Sequence, residues 1–504
     1  MKRLGLLVLA LAACNGGDKD VPPCELISSD VRVDAAGDGD AIESGNGIMC
    51  VNSKSEVSIV WIDDRDGTPQ VWFNASRDGG VTWKPTAIRV DHGEGSNVSY
   101  PAIGCSESAV YVAWEDDRDG DLQNHNIYAN RSLDLGDTWL DDDINIDVDP
   151  EGRTFSQGPF IAVAGTAAYI AWFDNVFGAY DIYIAGSADE GLTWGSPVRV
   201  DSDGPGDAYS AYPQVVANTN GTVMVAWEDA RSGKNDIYLA RSDNGGGNFD
   251  TDTRIDGGDD PGAANSFSPR LAADGDNVYV AWHDKRNTSS DDGPSDIYTN
   301  FSADGGRNWS SVAAIVESPE GNSPGFFNSR FPVLAVKAGK AVVAWEDNRF
   351  ANYDIFSRVL ENGLPVGPET RLDLGNEELP SAEGVHTSLD TRLAASGSNV
   401  VVMWADSRAV VNPDDGFSDL YYNFSSDFGA TWSPADLRMD NVEAGAAFKQ
   451  DINLALVGDT MFASWTDGRT GSADIYTHTM KIGEEAAYVI VGEQECFQED
   501  VAPE

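Results

Sequence analysis

Histidine, cysteine and positive charge are all scarce in this 504-residue chain. Five histidines, with no His-x-x-x-His pair among them, argue against a histidine-built metal or catalytic centre. The one Gly-x-Ser-x-Gly run, Gly321 to Gly325, opens no helical pattern, so no serine nucleophile elbow is expected. Lys and Arg number 33 against 83 Asp and Glu, for a formal net charge of -50. Such a surface repels phosphate backbones and anionic headgroups, which excludes nucleic acid and bare lipid as partners. It suits cations, and calcium is the one cofactor the composition suggests. Helical periodicity is missing throughout. The one long apolar run, Leu4 to Ala13, is too short to span a bilayer as a helix. The charge does not signal disorder, because 14 Trp, 16 Tyr and 19 Phe supply a large core.

Lys2 and Arg3 precede that run and Cys14 follows it. Leu11-Ala12-Ala13-Cys14 resembles a bacterial lipobox, which implies cleavage before Cys14 and lipidation of its thiol. Residues 1–13 are then a signal peptide, and residues 14–27 a tether to a membrane surface. The expected location is the cell envelope, anchored to the outer membrane. An exported chain meets oxidising conditions, and four cysteines remain: Cys24, Cys50, Cys105 and Cys496. Three pairings are open to them. Cys50–Cys105 with Cys24–Cys496 is the one favoured by the repeat described next.

One cassette recurs eight times. It reads Trp-x-Asp-x-Arg, then Asp-Ile-Tyr, then Ser-x-Asp-x-Gly-x-x-Trp. Its first Trp falls at Trp61, Trp114, Trp172, Trp227, Trp282, Trp345, Trp404 and Trp465, at spacings of 53 to 63 residues. A fixed period of this size marks an array or a propeller. A short apolar run such as Val110 to Ala113 precedes each Trp and reads as a strand buried on both faces. A shorter element, often opened by Pro, lies upstream. Asp-Ile-Tyr and a closing strand such as Val198 to Asp201 lie downstream. Four strands per unit predict an all-β, eight-bladed propeller over residues 28–480, with residues 481–504 as a tail. The eighth cassette lacks a fourth strand, and Asp30 to Asp34 matches the missing pattern. The N-terminal segment is therefore expected to complete the last blade, which removes the exposed edges. Closure brings Cys24 near Cys496. Cys50 and Cys105 fall on inner strands of neighbouring blades.

The turn motif is complete at Ser76-Asp78-Gly80-Trp83, Ser132-Asp134-Gly136-Trp139, Ser187-Asp189-Gly191-Trp194, Ser302-Asp304-Gly306-Trp309 and Ser425-Asp427-Gly429-Trp432. It resembles the Asp-box, or bacterial neuraminidase repeat, of sialidase-like propellers. In that family the motif is a turn on the face away from the active site, which implies that these Asp residues are structural. Sialidases have six blades, so eight is a departure. The sixth cassette replaces the motif with Asn362-Gly363, a tight-hairpin pair.

Candidate sites come from deviations and convergences. Trp-x-Asp-x-Arg opens a loop on the rim and suggests a repeated clasp between Arg and carboxylate. Blade 3 keeps Asp174 and Asp181 but has Val176 where Arg is expected, so the two carboxylates are a candidate cation site. Blades 1 and 2 keep Arg65 and Arg118 but have Gln70 and Asn126 in place of the second Asp, which leaves these Arg candidates for a ligand. Arg270, Arg330 and Arg392 stand near the start of the inner strands of three consecutive blades, where they are expected to converge on one oxyanion. The sialidase resemblance implies an arginine triad for a sugar carboxylate, although this chain has no Arg-Ile-Pro and the register of Arg330 differs. Tyr100, Tyr212 and Phe331 lie near the same place as stacking surfaces. A sialidase-like mechanism also needs a Tyr nucleophile with a Glu, for which Tyr212 with Glu228 is a candidate pair.

The first expectation is a monomeric, lipid-anchored module that recognises a glycan or an envelope or extracellular protein on its loop-rich rim. The second is a sialidase-like exo-glycosidase acting on an anionic sugar. The third is a structural envelope component.

Overall fold

The computed structural model describes residues 30–34, 44–93, 96–119, 124–147, 154–288, 290–317, 324–375, 385–410, 416–441 and 445–484. Cys14, Cys24 and Cys496, with the expected leader, tether and most of the tail, lie outside the described residues. Every regular element described is a β-strand, and no described helix is long and apolar enough to cross a membrane.

Eight four-stranded antiparallel sheets follow one another along the chain. Blade 1 comprises Ser44–Val51, Val57–Asp63, Gln70–Ser76 and Ile88–Arg89, and the later blades repeat this plan. Second strands such as Val110–Asp116 and Val223–Asp229 are buried at every position. A neighbouring blade covers each face, so these strands are mostly apolar. The cassette Trp is at most 1% exposed in all eight blades.

Val31–Arg32 is the outer strand of the last sheet, with Val31 opposite Thr477 and Arg32 opposite Tyr476. The eighth blade is thus built from both ends of the chain, as expected. Asn453 Nδ2 donates to Gly47 O at 2.7 Å and joins the last inner strand to the first. The third strand of that blade runs on to Lys481.

The Ser-x-Asp-x-Gly turns follow turn chemistry. Ser76 Oγ accepts from Gly80 N at 2.8 Å, and Asp78 accepts from Thr82 N at 2.8 Å and Thr82 Oγ1 at 2.6 Å. The same pattern recurs at Asp134, Asp189 and Asp427. Hydrogen bonds from Thr193 hold Asp189 down at about 2, so this carboxylate is committed to its turn. In blade 6, Asn362 and Gly363 have φ of 50° and 80° and join Glu361 to Leu364, as a two-residue hairpin requires.

Cys50 and Cys105 form a disulfide between the inner strands of blades 1 and 2, with Cα atoms 6.0 Å apart. It closes a loop of sequence separation 55. Chain entropy sets the stabilisation at about 4 kcal/mol for a loop of this length. The Cys50→Ser/Cys105→Ser protein should therefore unfold at clearly lower denaturant than the oxidised parent. Equal midpoints would mean that the remaining contacts already fix the blade 1–2 interface.

Candidate functional site

Each inner strand carries a β-bulge at the same place. The register shifts between Gly45 and Ile48 in blade 1, between Ala211 and Gln214 in blade 4, and at the equivalent point of every other blade. One residue in each bulge has positive φ: Asn46, Tyr100, Gly158, Tyr212, Ser268, Phe331, Asp390 and Asp451. In five blades it is followed by Pro. Proline has no N–H to give the ladder, and a bulge is where a ladder bond is already missing. Read as sequence, these prolines open a strand. In the structure they mark a kink, and seven of the eight bulge residues, all but Asp390, line the cavity at the mouth of the central channel.

The eight bulges alternate in kind. In blades 2, 4 and 6 the residue after the cassette Trp is Glu115, Glu228 or Glu346, and each is buried. Each carboxylate accepts the amide of the positive-φ residue in the next blade: Gly158 N at 2.9 Å, Ser268 N at 2.7 Å and Asp390 N at 2.8 Å. Between blades 8 and 1, Asp451 takes this part and accepts from Asn46 N at 3.0 Å. The bulge residues so held are small or polar. Those of blades 2, 4 and 6 are Tyr100, Tyr212 and Phe331, with 61%, 56% and 44% of their surface exposed. Phe173 and His283 pack against Tyr212 and Phe331 from the preceding blades, with ring centroids 5.6 Å apart in both cases. At its mouth the ring therefore repeats every two blades. The Trp-Glu-Asp triplets of blades 2, 4 and 6 carry that signal in the sequence.

These side chains surround a cavity of about 900 Å³, toward the upper end of the range for small-ligand sites. Tyr100, Tyr209, Tyr212 and Phe331 supply aromatic surface. Gln214, Arg270, Arg392 and Asn453 occupy equivalent positions just past the bulge in their blades and line the throat. Arg392 donates to Ile452 O at 2.6 Å and Thr391 O at 3.0 Å. Among the described residues Arg270 makes no hydrogen bond and no ion pair. Burial, with Arg392 adding to it, pushes the Arg270 guanidinium down to about 10. The carboxylates nearby are engaged elsewhere. Glu228 accepts from Ser268 N and from Asn235 Nδ2 at 2.8 Å, and Asp451 accepts from Asn46 N and from Thr466 Oγ1 at 2.9 Å. Burial pushes Glu228 up to about 7 against its two hydrogen bonds. The cavity thus sets two guanidiniums, Arg270 and Arg392, beside carboxylates already bonded to other groups.

Several expectations are corrected. Arg330 does not converge with Arg270 and Arg392. It sits before the bulge, pairs with Glu346 at 2.9 Å and lies 3.9 Å from the Tyr353 ring centroid, outside the central cavity. The expected triad is a pair. Tyr212 and Glu228 share the cavity, but both oxygens of Glu228 are taken by Ser268 and Asn235. Arg65 and Arg118 are not free for a ligand. Each guanidinium bonds its cassette Asp, Asp63 or Asp116, and stacks 4.1 Å from the ring of Trp72 or Tyr128. Arg118 also pairs with Asp143 at 2.9 Å. Seven blades repeat this stack, which explains the aromatic residue of Asp-Ile-Tyr.

Blade 3, which lacks the cassette Arg, is closed differently. Asp174 accepts from Ser156 Oγ and Val176 N, each at 2.8 Å. Asp181 is held by Arg199 at 2.9 Å and by Gly206 N. Arg199 also pairs with Asp201 and Asp203, at 2.8 and 2.7 Å. The close carboxylate group is Asp181, Asp201 and Asp203 rather than Asp174 with Asp181, and a guanidinium already sits in it.

No protein-family model matches the chain, and no curated protein matches it. Among solved structures, it resembles the polysaccharide lyase Uly1, at 11% identity and a TM-score of 0.48 over 75% of this chain and 89% of that one. It also resembles an α-L-arabinanase of Penicillium chrysogenum bound to arabinobiose, at 13% identity and a TM-score of 0.39 over 77% and 94%. The endosialidase of phage phi92 aligns at 10% identity and a TM-score of 0.39 over 94% and 71%. These are likenesses of fold.

Proposed function

We propose that the protein is an envelope-tethered recognition module that takes an anionic sugar in the mouth of its central channel. The observation that carries this is Arg270, an unpaired and largely buried guanidinium on the wall of a cavity edged by exposed aromatic rings. A guanidinium binds carboxylate or sulfate in a fork, and its strength grows where water is excluded. Aromatic faces stack on the C–H faces of sugar rings, and Tyr adds a hydroxyl for hydrogen bonding. Gln214 and the Oδ1 of Asn453, whose Nδ2 is bonded to Gly47 O and Asp451 O, offer further hydrogen bonds to hydroxyl groups. The acidic exterior repels polyanions in general, so capture depends on entering this mouth. Lipidation at Cys14 would hold the module at the outer membrane, and the partner is then a glycan of the envelope or its surroundings.

A glycan array with neutral, carboxylated and sulfated members tests this. Signal should be confined to anionic members and disappear in Arg270→Ala. Binding to neutral glycans, or to none, would overturn it. The affinity also has an expected pH dependence. Ionised Glu228 repels an anion beside it, so binding should strengthen several-fold as pH falls from 8 to 6, through the value of about 7. Glu228→Gln should flatten that profile.

A further inference from the structure

A second cavity of about 490 Å³ adjoins the first between blades 5 and 6. The two share Phe267 and His283 in their walls. His283 is 9% exposed, and its Nδ1 is buried with no hydrogen-bond partner among the described residues. Its ring packs between Phe267 and Phe331, with centroids 5.5 and 5.6 Å away. Phe173 fills the corresponding place in blade 3, so packing alone does not call for an imidazole here. Two cations line the second cavity. Arg330 stands over the rings of Tyr353 and Phe331, and Lys285 Nζ lies 5.9 Å from the Phe267 centroid. Asp292 is the one carboxylate in its lining, while Asn328 and Asn348 add amides. Phe326, 65% exposed, forms an apolar lip.

We propose that this cavity is a second sugar subsite, so that the ligand is an anionic oligosaccharide whose successive residues occupy the Arg270 cavity and the Lys285–Arg330 cavity, with His283 bonding the chain between them. The proposal rests on the anionic-sugar reading of the first cavity and extends it from one residue to a chain. The supporting physics is local. Burial, with Lys285 and Arg330 adding to it, pushes His283 down to about 4. Its ring is therefore neutral at physiological pH, and with Nδ1 buried, Nε2 is the atom left to meet a sugar hydroxyl. A polymer carrying a carboxylate on each residue would meet a cation in each cavity. Arg330 is braced by Glu346 and keeps its face toward Phe331, so it contributes as a fixed charge. The Lys285 ammonium donates to Asp291 O and keeps further protons for a ligand.

Calorimetric titration with galacturonic acid and its linear oligomers of two to six residues tests the subsite. Affinity should rise at least tenfold from one residue to three. Lys285→Ala should remove most of that rise and leave the monomer affinity unchanged. His283→Phe, which supplies the residue type found in blade 3, should also reduce that rise, with the fold kept. Equal affinities for monomer and hexamer, or a length dependence untouched by both variants, would overturn the second subsite and leave the first intact. No heat with any length, in a protein whose melting curve is cooperative, would overturn both.

Discussion

Replacing Arg270 by methionine should raise the melting temperature and weaken binding of the anion about a hundredfold. In the free protein this guanidinium has left much of its water, faces Arg392, and has no carboxylate in exchange. The charged form is disfavoured, and a long apolar side chain of similar volume removes that cost. The depressed value, discounted for partial exposure, corresponds to about 2 kcal/mol, or a rise of about 2–4 °C. The bound anion loses a charge-assisted fork, worth about 3 kcal/mol, which is about a hundredfold in affinity. Arg408 is the control. It lies buried between Asp406 and Asp436, at 2.5 and 2.8 Å. Arg408→Met strands two carboxylates and should cost about 3–5 kcal/mol. A structural Arg270 would behave like Arg408. Opposite signs of the two shifts in a thermal scan are the expected result, and matching losses would assign Arg270 to the scaffold.

Stability should fall as pH rises from 5 to 8, by several kcal/mol. Buried carboxyl groups with raised values are responsible. Burial, helped by Asp203, pushes Asp201 up to about 8, and burial pushes Glu228 up to about 7 and Asp236 and Asp419 to about 6. The folded state favours their protonated forms. Their contribution is complete below the unfolded carboxyl range, near 4, and is lost as pH climbs through the folded values. Glu228 alone accounts for about 3 kcal/mol on this basis. Asp189 and Asp304, held at about 2, act in the opposite sense, and their contribution is lost only below about pH 4. The maximum should therefore lie near pH 5.

Geometry supports the direction. In blades 5, 6 and 7 one serine hydroxyl touches two buried carboxylates. Ser266 Oγ lies 2.7 Å from Asp256 and 3.0 Å from Asp284. Ser329 lies 2.6 and 2.9 Å from Glu317 and Asp347, and Ser388 lies 2.8 and 3.0 Å from Asp373 and Asp406. A hydroxyl has one proton to donate, so the second contact is a hydrogen bond only when a carboxyl supplies its own. In blade 8 the serine is replaced by Lys449, whose ammonium lies 3.6 and 3.4 Å from Asp440 and Asp467 and needs no such proton. Urea unfolding at pH 5 and pH 8 checks this. A higher midpoint at pH 8 would contradict it.

The blades were legible because each buried strand carries an apolar run before its Trp and most turns need their Ser, Asp and Gly. The borrowed strand was legible because one cassette lacked a partner that Val31 to Asp34 supplied. The site was harder to read. A period-two strand places Arg270 and Arg330 by their offset from proline, but the bulge inserts a residue between them and sends them to different cavities. The clasp of Arg65 and Arg118 is not legible along one loop, because their second partners, Asp34 O and Asp143, lie beside fourth strands. Arg199 fills blade 3 from the same place. Spacing along one loop cannot show a partner delivered from another strand. The alternation of Glu115, Glu228 and Glu346 with Ile62, Phe173 and His283 was present in the sequence, but it emerges only when blades are compared in pairs.

The most direct measurement is a crystal structure of the protein with a bound galacturonic acid oligomer. One carboxylate should lie about 3 Å from the Arg270 guanidinium, with its sugar ring against Tyr212 or Phe331 at the channel mouth. An oligomer bound elsewhere on the rim, with Arg270 still without a partner, would contradict the account.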